Sequence, residues 1–258
     1  MPENNMSPIA RIYHFCDRWC TRCAYSAQCE AFVANEKKEI DTKTKIANDK
    51  VNHLFWQQLE QNLLETENWL RKLAAQKGVS LTEFDPPKQK KNFDLFQRDA
   101  KSNPVLKAGR LYEDMVDDWF DDAMEQFGLQ TVETEQGAAI RMPDEKNISS
   151  DLKPDMLFEV ILRYQLQVYL KLSRCFYSRG KEAESEEVSD EFRDSIGTAK
   201  SVLALLDRSM AAWKNVLAAL PESEESIFQI LVVLQRMRYN LELEFPEARA
   251  FARPGFDK

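Results

Sequence analysis

Apolar residues recur at three- and four-residue steps through most of this chain, a spacing that predicts amphipathic helices. From about Thr44 to Gln76 the series Val51, Phe55, Leu59, Leu63, Trp69 and Leu73 forms one stripe, ended by Gly78. Paired prolines in "SLTEFDPPKQKKN" deny helix to the following loop, and a short helix is expected around Asn92 to Ala100. Asn103-Pro104 supplies a capping side chain and a first-turn proline for a third helix. It runs to Phe127 with Ala108, Tyr112, Met115, Trp119, Ala123 and Phe127 on one face.

Residues 128 to 150 read as a loop in which "LQTVETEQGAAIRM" is a candidate hairpin. A fourth helix is expected from Asp151 to about Arg179. Its polar stripe of Arg163, Gln167, Arg174 and Ser178 is narrow, so it is expected to be the most buried element. The acidic run "KEAESEEVSDEFRD" reads as a solvated linker. Two more helices, about Ser195 to Leu220 and Glu222 to Phe245, meet at the tight connection Leu220-Pro221, and Arg253-Pro-Gly255 marks a tail. The expected architecture is all-α, an up-down bundle of four to five main helices. Residues 1–43 form a cysteine-rich segment packed on it, 44–245 the bundle, and 246–258 an extended tail.

Composition narrows the function classes. Seven glycines in 258 residues are few against a usual share of about 7%, which disfavours glycine-lined phosphate loops. The net charge of −8 disfavours non-specific nucleic-acid binding, which runs on Lys and Arg. No apolar run approaches the ~20 residues needed to cross a bilayer, and MPENNMSPIAR lacks the layout of a secretory leader. A cytoplasmic protein is expected, with no nucleic acid and no membrane among its partners.

Four of the five cysteines stand in "HFCDRWCTRCAYSAQC", spaced C-x3-C-x2-C-x5-C as Cys16, Cys20, Cys23 and Cys29. Two readings compete. Cys16, Cys20 and Cys23 fall at i, i+4, i+7 and with Ile9, Ile12 and Ala27 would make the buried stripe of a helix. In a continuous helix Cys16 and Cys23 would stand about 10 Å apart along the axis, too far to share one ion, so a metal centre requires the segment to unwind. In that case the four thiolates suit a zinc ion or an iron–sulfur cluster, with His14 as a substitute ligand. Structural zinc sites commonly pair two C-x2-C knuckles, whereas one knuckle with two close flanking cysteines is more typical of a cluster. A [4Fe–4S] cluster is therefore the expected cofactor and Zn2+ the alternative.

The triplet Cys16, Cys20, Cys23 has the spacing of radical S-adenosylmethionine enzymes. Arg22 stands where that family usually has an aromatic, and a helical, glycine-poor chain does not suit its partial (β/α) barrel. Residues 20–29, Cys20-Thr-Arg-Cys23-Ala-Tyr25-Ser-Ala-Gln-Cys29, resemble the iron–sulfur loop of RecB-like exonucleases, including those of CRISPR adaptation. That resemblance implies cluster chemistry, with Cys16 as the fourth ligand. It does not extend to DNA cleavage, because none of the family's acidic and lysine residues can be placed.

A di-iron bundle would need Glu-x-x-His on two helices, but Arg11 and Lys50 precede the two histidines, His14 and His53. Polar residues nevertheless fall on inward faces: Asn62, Thr66, Glu113, Glu159, Gln165 and Arg238. Buried charge must be paired, so Glu159 is expected to pair with Arg163, and Arg238 with Glu113 or Glu159. The functional version is an internal polar site of Glu113, Glu159, Gln165 and Arg238. Asp114, Asp117, Asp118, Asp121 and Glu125 lie opposite the apolar face of the third helix, and no Lys or Arg occurs from Leu111 to Ile140. That surface suits a basic partner or a weakly bound cation and is hostile to DNA. The five tryptophans, Trp19, Trp56, Trp69, Trp119 and Trp213, read as core. Taken together, the sequence points to a metal-binding protein with a redox or sensing role and an unspecified protein or redox partner. The alternatives are an interaction scaffold with a zinc knuckle and a metal-dependent enzyme with an internal carboxylate site.

Overall fold

The computed structural model describes residues 7–35, 42–84, 103–134, 137–143, 152–183 and 194–257. Among the described residues the protein is all-α apart from one small hairpin. In chain order the helices are α1 (Glu30–Asn35), α2 (Thr42–Gln61), α3 (Leu63–Lys77), α4 (Pro104–Phe127), α5 (Pro154–Ala183), α6 (Asp194–Ala219) and α7 (Glu224–Glu244). Strands β1 (Gln130–Thr134) and β2 (Gly137–Arg141) pair antiparallel between α4 and α5, with Thr131 opposite Ile140. The short helix expected at 92–100 and most of the acidic linker lie outside the described residues.

The last four helices form a closed set: α4 packs on α5, α5 on α6, α6 on α7 and α7 back on α4, while α2 and α3 lie against α6. Local chemistry sets the ends. The Asn103 side chain accepts from the amides of Val105 and Leu106, and Gly128 closes α4 in the left-handed conformation with φ 67°. Gly78 (φ 65°) closes α3 in the same way.

Three expectations are corrected. The stripe drawn through residues 44–76 is two helices, broken at Asn62, whose side chain turns to Asn215 of α6 (3.1 Å) while its carbonyl accepts from the Thr66 hydroxyl. The most buried helix is α6, with sixteen of its 26 residues buried. Its small side chains, Gly197, Ala199, Ser201, Ala211 and Ala212, allow neighbours to approach from every side. The tail expected to be extended instead returns in turns onto the amino-terminal segment, where Phe251 meets Phe15 edge-on and Phe256 meets Tyr25.

Four tryptophans are buried and Trp69 is half-buried, as expected of core residues. No helix of the described residues is long and apolar enough to cross a membrane.

Candidate metal centre

The cysteine segment is not a helix. Residues 12–14, 20–22 and 26–28 make single 3-10 turns joined by irregular backbone, with Arg18 in the left-handed region (φ 56°) and Cys23 extended. Unwinding exposes carbonyls that a helix would satisfy itself, and buried carbonyls must find donors. The bundle supplies them. Ser201 donates to the carbonyl of Phe15 (2.6 Å), Lys171 to that of Cys16 (2.8 Å), and Arg163 to that of Arg18 (3.0 Å). Asn52 donates to the carbonyls of Thr21 and Cys23, and the Trp56 indole to that of Arg22 (2.7 Å). Asp49 accepts from the Ser26 hydroxyl (2.6 Å) and the Ala27 amide (3.0 Å).

This explains another departure from the expected pattern. Val51, placed on the apolar stripe, is exposed, and α2 turns Asp49, Asn52, Phe55, Trp56 and Leu59 inward. Half of that face is polar because it binds backbone. Lys171 is likewise buried within α5, and burial pulls its ammonium below the usual lysine range.

Beneath the segment, Asp17 accepts from the Tyr164 hydroxyl (2.7 Å) and the Trp19 amide (3.0 Å). Arg208 lies 3.4 Å from the same carboxylate and reaches Glu60 at 3.2 Å. Burial and the adjacent Asp17 hold the Tyr164 phenol well above its ordinary value. Burial opposes the charge on Arg208, but Tyr164, Asp17 and Glu60 outweigh it and raise its affinity for the proton. Trp19 packs edge-on against Trp56 and Tyr164, and Arg208 lies 4.1 Å over the Trp56 ring.

Cys16, Cys20, Cys23 and Cys29 line one small void, of about 20 Å³, walled by Ile12, Phe32 and Phe256. Burial pushes the Cys23 thiol up to about 12 and raises Cys16 and Cys20 in the same direction. Neighbouring sulfurs add to this: Cys20 feels Cys29, Cys16 feels Cys20, and Cys23 feels Cys16. The Tyr25 amide donates to the Cys23 sulfur (3.3 Å), and the Arg18 amide opposes the rise at Cys16. Thiols held protonated this way are poor nucleophiles. A bound metal ion would supply the charge that favours the thiolate form.

Among the described residues, no set of three or more His, Cys, Asp or Glu side chains is arranged to hold a single metal ion. His14 is exposed, stacks on Tyr13, and is not among the residues lining the void. The fifth cysteine, Cys175, is buried in α5, donates to the Leu172 carbonyl and is pushed up to about 12 by burial. It is a core residue.

The four internal polar residues do not form one site: Gln165 and Glu113 meet, while Glu159 and Arg238 are held elsewhere. Gln165 donates to the carbonyl of Glu113 and to the carboxylate of Asp117, and Glu113 pairs with Arg110. Glu159 pairs with Arg22 of the cysteine segment (2.7 Å) rather than with Arg163. Arg238 is neutralised by Glu67 and Asp207 (2.7 and 3.1 Å), not by Glu113 or Glu159. Those partners lie on α3 and α6, where the closing of the bundle brings them against α7. The acids Asp114, Asp117, Asp118, Asp121 and Glu125 are exposed along α4.

Compared with protein-family models, with curated proteins and with solved structures, the chain matches none.

Proposed function

We propose that Cys16, Cys20, Cys23 and Cys29 hold a [4Fe–4S] cluster and that the protein serves electron transfer or redox sensing. The observation carrying this reading is that all four thiols line one void in a segment whose unwound backbone is fixed by bundle side chains. A tetrahedral zinc ion gathers its sulfurs to about 3.8 Å from one another, given Zn–S bonds of about 2.3 Å. A cubane binds each thiolate to a different iron and holds the sulfurs farther apart. One C-x2-C knuckle with two close flanking cysteines is the ligand run more typical of the cluster.

The chain's own residues have separable tasks in this reading. The Arg18 and Tyr25 amides direct hydrogen bonds at sulfur, which tunes a cluster's potential. Ile12, Phe32 and Phe256 exclude water, Lys171 fixes the backbone ahead of the knuckle, and Trp56 fixes it within the knuckle. Cys20, the exposed member of the four, is where electrons would enter or leave. With all four positions ligated by cysteine, the centre would offer no open iron for substrate.

One observation favours zinc as a second reading. The void has the volume of a single water molecule by this measure, so a cubane requires the four side chains to move outward, whereas one ion does not. Anaerobic purification separates the two. The cluster reading expects a brown protein with iron and acid-labile sulfide, bleached in a Cys20→Ser, Cys23→Ser variant. A colourless protein with one zinc per chain replaces it with a structural knuckle. A chain with neither metal overturns both and leaves an interaction scaffold.

A further inference from the structure

Beside the cysteine segment a cleft of about 920 Å³ opens between β2, α5 and residues 18–22. Four guanidiniums line it, those of Arg18, Arg22, Arg141 and Arg163, against two carboxylates, Asp155 and Glu159. The carboxylates are already engaged: Glu159 with Arg22, and Asp155 with the Met142 amide and Arg141. Among the described residues neither Arg18 nor Arg163 has a carboxylate partner. In a chain of net charge −8, this cleft therefore carries an excess of positive charge.

Two further features set the cleft apart from a chance gathering of surface arginines. Arg18 holds a left-handed backbone conformation (φ 56°) that is unfavourable for a non-glycine residue. It is kept there by Arg163, whose guanidinium binds the Arg18 carbonyl at 3.0 Å. Strain that a second residue holds in place is characteristic of binding sites. The walls also offer an apolar body its place. Trp19, Ile140 and Leu162 line the same space, and Ala138 and Ala139 keep the β2 side open. Mixed apolar walls, a few convergent charges and this volume match small-molecule sites more closely than flat docking surfaces.

We propose that this cleft binds a small organic dianion, a phosphate monoester or dicarboxylate on an apolar body, with Arg18 and Arg163 as its counter-charges and Cys20 at its edge. The proposal goes beyond the metal reading and does not require it. If both hold, the ligand sits against the exposed edge of the redox centre, where its charge would act on that centre directly.

The test is calorimetric titration of the full chain with 1-naphthyl phosphate, with 1-naphthol and inorganic phosphate as controls. One site per chain is expected, with 1-naphthol silent and inorganic phosphate weaker. An Arg18→Gln, Arg163→Gln variant should bind at least about tenfold more weakly, the loss of one charge-assisted hydrogen bond or more. Quenching of Trp19 emission, lost in Trp19→Phe, locates the ligand independently. Circular dichroism checks the fold of the double variant, and Arg141→Gln, on the opposite wall, serves as a second one. Equal affinity in wild type and the arginine variants overturns the proposal, as does the absence of binding. Metal content is read on the same preparation. A metal-free chain that binds sinks only the cluster reading, and a metal-loaded chain that does not bind sinks only this one.

Discussion

The indole nitrogen of Trp56 donates to the backbone carbonyl of Arg22 at 2.7 Å, tying the turn between Cys20 and Cys23 to α2 across more than thirty residues of sequence. The same ring packs against Phe55 and Trp19 and lies under Arg208, so one side chain serves both the core and the thiol loop. Trp56→Phe keeps most of the packing and removes the donor. Leaving that carbonyl unpaired should cost about 1–2 kcal/mol in urea unfolding, and the variant should retain less metal per chain. Unchanged stability would show that water replaces the indole.

Gly197 gives a second prediction, because ordinary helix propensity points the wrong way there. Replacing a helical glycine by alanine usually gains up to about 1 kcal/mol. A Cβ at Gly197, however, would lie 2.7 Å from two carbons of the Phe15 ring, next to Cys16. Gly197→Ala should therefore destabilise the protein and loosen the cysteine segment, seen as faster amide exchange in residues 12–25. Adding Phe15→Leu should recover part of the loss.

Arg238 gives a third. It is buried between Glu67 and Asp207, and Asp207 also pairs with Arg249. Arg238→Met removes the shared cation and leaves Glu67 with only its exposed neighbour Arg71. Breaking a largely buried pair on one side should cost about 3 kcal/mol, measured as a lower thermal midpoint. Arg71→Met, at the exposed pair, should cost under about 1 kcal/mol.

Acid sensitivity should trace to Asp194. Burial works against its charge, but bonds from Arg174 and Ser178 outweigh that and hold its carboxyl below the usual aspartate value. Because the folded value is the lower one, this contribution is complete above the unfolded aspartate range, about 3.9, and is lost as pH falls through the folded value. Asp194→Asn should flatten the fall in thermal midpoint between about pH 5 and pH 2 while lowering the midpoint near neutrality. A fall as steep as in wild type would place the acid-sensitive group elsewhere.

The helices were legible because their signals are local: three- and four-residue steps, the Asn103 cap, and glycines at 78 and 128. The α2 face was not. Polar residues of a helix ordinarily face water, yet Asp49 is buried to accept from the Ser26 hydroxyl and the Ala27 amide, and Asn52 to donate to the carbonyls of Thr21 and Cys23, in a segment more than twenty residues away. Arg238 was correctly read as buried and needing partners. Which acids supply them depends on how α3, α6 and α7 close on one another, a relation with no local signal. The cysteine spacing marked the four thiols that share a void. The arginine cleft went unread because it forms only where the hairpin docks on α5.

The placement of Phe256 bears on biosynthesis. The four thiols lie between residues 16 and 29, but Phe256, which closes their void, leaves the ribosome more than two hundred residues later, and Gly255 must come to rest against Ile9 and Ile12. The sulfur pocket can be sealed only after residue 256 has been made. Until then the nascent thiols stand open to oxidants, and removing the Phe256 side chain would leave the folded chain in that same unsealed condition.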